Sequence, residues 1–325
     1  MAARIISGQD FADRIKQDLA RQVADLAGAG RPVQLAAVQV GANSASKVYT
    51  NMQARIAESV GIQYRLLELP ETIGQPELTD QIARLNADAG VSGIILQMPV
   101  PGHIDAQAAQ LAIDPSKDVE GIHPANLGRL FSGDEGVAPC TAQAAYELLL
   151  EACPELGGQE AVIVGRSDIV GKPLALLLLK RTKPSPTVTV CHSHTVDLGA
   201  HTRSADIVIV ATGASQMAWQ RHRQKVAAGQ KPPPPDLSPL VRADMLSAKA
   251  VVIDVAINRI PKALDASGNP VKDDQGKTIM ITAGDVEFEA AKDKVAAITP
   301  VPGGVGPVTV AVLLRNTVRC ALGHA

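Results

Sequence analysis

The stretch Val162-Ile-Val-Gly-Arg-Ser-Asp-Ile-Val-Gly-Lys-Pro173 decides the fold. A β-branched run enters a glycine turn at Gly165, and a helix is predicted to start near Gly171 and Pro173. Glycine lets backbone approach a pyrophosphate, and a helix N-terminus offers N–H groups and the positive end of its dipole. The segment is not GxGxxG, so taken alone an ordinary tight strand-to-helix turn explains it equally well. The next strand sharpens the reading. An NAD site places Asp or Glu at that strand's end, bonded to the ribose hydroxyls. Here no acidic residue occurs between Asp168 and Asp197, the strand ends in Cys191-His192-Ser193, and Arg166 sits in the first turn. That set suits a 2′-phosphate and points to NADP. His192 and His194 alternate like a metal pair, but without a third ligand we read no metal there.

On both sides of this turn, helix-like and strand-like segments alternate through most of the chain. Phe11, Ile15, Leu19, Val23 and Leu26 keep helical spacing up to Gly28 and Gly30. Val33 to Val40 reads as a strand, Ala45 to Val60 as a helix, Tyr64 to Leu69 as a strand, Glu77 to Ala89 as a helix and Gly93 to Gln97 as a buried strand. Beyond the first turn come strand Ala161–Val164, helix Lys172–Lys180, and strands Thr187–Cys191, Ile207–Ala211 and Ala250–Val255. Such alternation predicts parallel sheets covered by helices on both faces. The expected fold class is therefore α/β: two three-layer α/β domains, the second a Rossmann-type dinucleotide-binding domain. The long apolar helix Val308 to Leu322 is expected to return to the first domain. The domains are placed at 1–140 with 305–325 and at 141–304, with Asp114 to Pro139 as the connection. Two stretches read as insertions on the second domain. One is 216–239, whose Pro232 to Pro235 favour an extended polyproline segment. The other, 263–277, is rich in Asp, Gly and Lys and reads as a surface hairpin or loop.

Composition narrows the function classes. The 325 residues include 46% hydrophobic and 20% charged, a globular balance that excludes disorder and collagen. Aromatics at 2% argue against a base-stacking platform, and a net charge of −2 gives no electrostatic case for nucleic acid or a membrane as partner. Cys140, Cys153, Cys191 and Cys320 lie far apart with no CxxC, which reads as free thiols in a reducing compartment. Asp10, Asp13 and Asp18 near the start do not fit a secretory or transit peptide, and no apolar run is read as approaching the roughly 18 residues of a bilayer span. The expected protein is soluble and cytoplasmic.

Two further segments stand out. Ile298-Thr-Pro-Val-Pro-Gly-Gly-Val-Gly-Pro-Val-Thr309 packs three prolines and three glycines before a helix. Its backbone can lie flat against a planar ligand, although composition alone slightly favours a rigid turn. Asp114-Pro-Ser-Lys-Asp-Val-Glu-Gly-Ile-His-Pro124 sets Glu120 beside a glycine, in a kind of charge cluster that is usually just solvated.

Together with these segments, several others make the chain resemble the methylenetetrahydrofolate dehydrogenase/methenyltetrahydrofolate cyclohydrolase family. The matching segments are Ala45-Ser-Lys-Val-Tyr49, Gly93-Ile-Ile-Leu-Gln-Met-Pro-Val-Pro101, Lys117-Asp-Val-Glu-Gly121, Pro139-Cys-Thr141, Val164-Gly-Arg-Ser167 with Val170-Gly171, Val252-Ile-Asp254, Gly284-Asp-Val286 and Thr299 to Pro307. They occur in the family's order from about residue 34 onward, leaving the two insertions uncovered. The resemblance implies that N5,N10-methylenetetrahydrofolate lies in a cleft between the domains and gives a hydride to NADP, a step of one-carbon metabolism. It places Tyr49 where a ring stacks on the folate and Gln97 where an active-site hydrogen bond is made. Glu120 falls where the family has an Asp that holds the pterin, and Pro302 and Gly303 match the turn packed on it. Arg166 and Ser193 match the 2′-phosphate site, while Gly165, Ser167, Ile169, Thr212, Ile257 and Thr309 match positions lining the dinucleotide. It also implies a homodimer and no metal.

One departure matters for chemistry. The family's catalytic lysine stands four residues after the tyrosine, and here that position is Gln53. Lys47 is rotated well away by six residues of helix, and Arg55 is two residues off the face. Hydride transfer needs alignment and electron push from the folate nitrogens, with no side chain accepting a proton. Ring opening of the methenyl product by water does need a positioned acid/base, worth roughly 10²–10⁴-fold. Glutamine cannot titrate but still hydrogen-bonds. Dehydrogenase activity is therefore expected to survive and cyclohydrolase activity to be lost or weak, with Gln53→Lys raising it if the scaffold is otherwise competent. Glu120 for Asp and Ala256 for the usual glycine are lesser changes. The alternatives are a fully bifunctional enzyme, a non-catalytic folate- or nucleotide-binding protein, and an NADP dehydrogenase for another small substrate.

Overall fold

The structure is a computed structural model that describes residues 2–41, 44–134, 136–181 and 185–324, with the side chains of 44–49 outside the described set. Its elements run β1 (Arg4–Ile5), α1 (Gly8–Gly28), β2 (Gln34–Val40), α2 (Ser44–Ser59), β3 (Gln63–Leu69), α3 (Gln75–Ala87), β4 (Gly93–Leu96), α4 (Ala106–Leu111), α5 (Pro124–Ser132) and α6 (Cys140–Ala152). Then follow β5 (Glu160–Val164), α7 (Gly171–Leu178), β6 (Thr187–Cys191), α8 (Leu198–Ser204), β7 (Ile207–Val210), α9 (Ala214–Ala227), β8 (Val251–Asp254), β9 (Asn258–Pro261), β10 (Met280–Ala283), α10 (Phe288–Ala291), β11 (Ala297–Ile298) and α11 (Val305–Leu322). They form two units, a first of residues 10–143 with 308–325 and a second of residues 1–9 with 144–307.

The first unit is built on a parallel sheet in the order β3-β2-β4. Central strand β2 is buried along six of its seven residues, which is why Leu35 to Val38 is an unbroken apolar run rather than an alternating one. Ala36, Val38, Ile94 and Leu96 pack with Leu78, Ile82 and Leu85 of α3. Each large side chain buried there contributes about 1.5–3 kcal/mol. From residue 308 the C-terminal helix α11 belongs to this unit, and its Asn316 Nδ2 donates to the Val119 carbonyl at 2.9 Å. This helix corrects the reading of apolar runs: its 18 residues, of mean hydropathy 1.3, have the length and composition to cross a membrane. A 56% share of them is buried within the fold, as in the core helix of a globular protein.

The second unit holds a parallel sheet in the order β1-β11-β8-β7-β5-β6. Its edge strand β1 comes from the N-terminus, which the sequence had placed with the first domain. A two-residue strand has no periodicity to read, and only its pairing of Arg4 with Ala297 and Ile5 with Ile298 reveals it.

Two other expectations change. The stretch 114–139 is not a bare connection. It lies inside the first unit and forms α5, started by His123 Nδ1 accepting from Ala125 N–H at 3.1 Å and stopped by Gly133 at φ 85°. Within 216–239 the sequence reading missed α9, which runs to Ala227; Pro232 to Pro235 lie beyond it and outside any helix or strand. Only Ser215, Trp219 and His222 of α9 are buried, which leaves no apolar stripe for a sequence reading to detect. The stretch 263–277 is the far end of a hairpin in which β9 pairs antiparallel with β10.

Candidate active site

In the first unit the chain runs from β2 to β3 on one side of the sheet and then crosses to β4 on the other. Ligands of open α/β sheets bind at the carboxyl ends of strands where the order reverses in this way. Gln97 stands there: directly after β4, its N–H donates to the Val38 carbonyl at 2.8 Å, and its side chain is 8% exposed. Its Nε2 donates at 2.7 Å to Oε1 of Gln53, which is 1% exposed on α2. The same oxygen accepts from the Tyr64 hydroxyl of β3 at 3.0 Å. Gln53 Nε2 is buried and finds no partner among the described residues. The structure thus brings Gln53 and Gln97 together and adds Tyr64, which sequence reasoning missed. Its only signal was a polar-tipped ring in a strand adjoining the helix that bears Gln53. Tyr49 lies on α2 one turn before Gln53, but its side chain, like that of Lys47, is outside the described residues. No replacement cation comes from Arg55, which is exposed, or from Lys117, whose Nζ donates to the Leu85 and Asp88 carbonyls at 3.1 and 2.7 Å.

Glu120 sits on a loop fixed from several sides. Ile94 of β4 forms a parallel bridge with Asp118, so the loop runs on toward the carboxyl end of that strand. The buried Asp118 carboxylate accepts from Gly121 N–H at 3.1 Å, His123 N–H at 2.8 Å and Asn126 Nδ2 at 3.0 Å. Gly121 has φ 70°, and a Cβ there would stand 2.4 Å from the Ala138 carbonyl carbon, so only glycine allows this approach. Burial, and then the charge of Asp118, push the Glu120 carboxyl up to about 8. Cys140 N–H donates to the Glu120 carbonyl at 3.2 Å, while burial raises the Cys140 thiol well above its ordinary value.

In the second unit the order reverses between β5 and β7, and the glycine turn lies at that point. Gly165 follows β5 with φ 131°, and a Cβ on it would sit 2.4 Å from the Ala211 carbonyl oxygen after β7. Ser167 Oγ accepts from Val170 and Gly171 N–H at 3.2 and 3.3 Å, starting α7. Arg166, Ser167 and Ile169 are exposed on this turn, as is Ser193 beyond β6. The His192 ring is held below its ordinary range by desolvation first, then by the charge of Arg166 and by His194, which places the guanidinium's influence at the end of β6. His192 Nδ1 accepts from His194 N–H at 3.1 Å. Among the described residues no three His, Cys, Asp or Glu gather as a metal site.

Beyond β7, the Thr212 hydroxyl donates to Asp285 Oδ2, which also accepts from Gly213 N–H at 2.8 Å, while Asn258 Nδ2 donates to Oδ1 at 2.8 Å. Ile257 is 58% exposed. In the proline-glycine turn, Gly303 has φ 102° and its carbonyl accepts from Gly8 N–H at 2.9 Å. The sequence-predicted residues therefore fall into two sets. Gln53, Gln97 and Glu120 belong to the first unit, as does Thr309, whereas the turn residues with Pro302 and Gly303 belong to the second. An exposed cationic turn at a reversal point, with no acidic residue closing β6, fits a phosphorylated dinucleotide.

Two α/β units, one with a parallel dinucleotide-type sheet and the other with buried amides and a carboxyl at its strand ends, define a nucleotide-dependent enzyme class. Residues 6–120 match the family model of the tetrahydrofolate dehydrogenase/cyclohydrolase catalytic domain. Residues 139–228 and 236–325 match that family's NAD(P)-binding domain. The chain belongs to this family. It is 41% identical over 323 residues, 99% of each chain, to the bifunctional protein FolD of Halothermothrix orenii. Its fold is similar to the bifunctional FolD of Campylobacter jejuni, at 37% identity and TM-score 0.82 with all of both chains covered. The Trypanosoma brucei enzyme, solved with NADP and an inhibitor, is 33% identical with TM-score 0.80, covering 99% of this chain and 98% of that one. The match to the NAD(P)-binding domain runs through 263–277 and is interrupted at 229–235.

Proposed function

We propose that the protein oxidises 5,10-methylenetetrahydrofolate to 5,10-methenyltetrahydrofolate with NADP, and that its cyclohydrolase activity is lost or weak. The observation that carries the second clause is the buried Gln53–Gln97 amide pair at the position where the resemblance implies a lysine. NADP, when bound, supplies the hydride acceptor. The rest is positioning. Gln97 and Gln53 offer neutral amides to the folate, Glu120 a carboxyl, and Tyr49 a ring one helical turn from Gln53. None of the two amides can take up or release a proton near neutral pH, so water attack on the methenyl carbon lacks its proton carrier. Arg166 and Ser193 hold the 2′-phosphate, with Gly165, Ser167, Ile169, Thr212, Ile257 and Thr309 along the dinucleotide and Pro302 and Gly303 along the pterin. The resemblance supports a homodimer, and the four free cysteines fit a reducing cytoplasm.

A second reading, with both activities present, is favoured by one observation. Glu120 is a half-buried carboxyl pushed up to about 8, and it has the chemistry of an acid/base. The cofactor reading is tested by following reduced cofactor formation from methylenetetrahydrofolate with NADP and with NAD. NADP is expected to be preferred, and Arg166→Ala to cut that preference by about 10-fold or more, the effect of losing a charge-assisted bond. Equal use of both cofactors by the parent protein would sink it.

A further inference from the structure

We propose that Tyr64 is a positioning residue that holds the Gln53 carboxamide with its oxygen inward, so that the Gln53 N–H group donates to an acceptor atom of the bound folate. The proposal rests on the folate reading of this site. The Gln53 oxygen has two lone-pair directions, and both are taken, by the Tyr64 hydroxyl at 3.0 Å and by Gln97 Nε2 at 2.7 Å. Turning the amide over would set its NH2 against the NH2 of Gln97, donor against donor. Two donors converging on one oxygen therefore fix which way the group faces. The other end is the unusual part. Gln53 Nε2 is buried, in a residue 1% exposed, and finds no partner among the described residues. Buried polar groups are nearly always hydrogen-bonded, and an unmatched one calls for an explanation. A reduced pterin with its one-carbon bridge carries ring nitrogens and a carbonyl that accept hydrogen bonds, and one such acceptor completes Gln53.

The test measures tetrahydrofolate binding by calorimetry together with kcat and KM for methylenetetrahydrofolate. Tyr64→Phe removes the hydroxyl and keeps the ring. It is expected to raise Kd and KM about 3- to 10-fold, with kcat changed less than about twofold, as one hydrogen bond's worth of uniform binding predicts. In a Gln53→Met background the same change is expected to have no further effect, because Tyr64 acts through Gln53. Gln53→Glu keeps an oxygen for both donors but has a proton to give only when its carboxyl is protonated. Its KM is expected to climb with pH relative to the parent's.

An unchanged KM in Tyr64→Phe, or an equal rise in the Gln53→Met background, overturns the proposal and leaves the dehydrogenase reading standing. If Tyr64→Phe does not fold, the Gln53→Glu pH series decides, and a KM that tracks the parent's at every pH overturns the proposal. A parent that binds tetrahydrofolate without turnover removes the dehydrogenase reading, while the Kd series still decides the role of Tyr64. A parent that does not bind tetrahydrofolate overturns both.

Discussion

Gln53 stands where the resemblance implies a lysine; such an exchange swaps a titratable donor for a neutral one of similar reach, and here the neutral group has partners. Gln53 is locked by Gln97 and Tyr64, so a lysine introduced by Gln53→Lys meets two donors and gains its full effect only if Gln97 turns to offer its oxygen. Glu120 gives a prediction of its own. The folded chain holds this carboxyl's proton up to about 8, whereas the ordinary value is 4.5. Between those two values the folded state binds more protons than the unfolded one, so stability falls as pH rises through the window and levels off above it. Glu120→Gln removes that loss. By scanning calorimetry the variant is expected to melt with the parent near pH 4 and about 2–4 °C above it at pH 9. A gap that does not change with pH would contradict the assignment. At this scale it was the family resemblance that singled out Gln53, Gln97 and Glu120, and composition alone read the charges around Glu120 as solvated. The sequence could not show Tyr64, because a contact between a helix and the strand after it depends on how the two pack.

At the scale of elements, the strand–turn–helix from β5 to α7 works because its glycines let backbones come closer than a side chain permits. Gly165→Ala would put a Cβ 2.4 Å from the Ala211 carbonyl oxygen at φ 131°. It is expected to cost about 1–3 kcal/mol or more and to weaken NADP binding, checked by urea unfolding and cofactor titration. Unaltered stability and affinity would show that the turn has slack the structure does not. This element was legible in the sequence because its signals are local. The elements that were not legible lacked such signals. Strand β1 is two residues long and defined by pairing with residues nearly 300 positions away. Helix α9 is polar on most of its surface and precedes four prolines, so the proline signal overshadowed it. Helix α5 is set by the capping of His123 and the left-handed Gly133, inside a stretch whose charges and turns suggested a linker.

For the whole molecule, the two units divide the labour the resemblance implies, with amide and carboxyl groups in one and a cationic glycine turn in the other. The family match spans both units, which makes a retained nucleotide-dependent activity the economical reading. What separates a dehydrogenase from a bifunctional enzyme is the fate of the methenyl product. The decisive measurement incubates purified protein with methylenetetrahydrofolate and NADP, following NADPH and methenyltetrahydrofolate together against a protein-free control. The account predicts NADPH formation while methenyltetrahydrofolate decays only at the control rate. Decay accelerated by the protein would contradict it, and would make a group other than a lysine at position 53, with Glu120 foremost, the proton carrier.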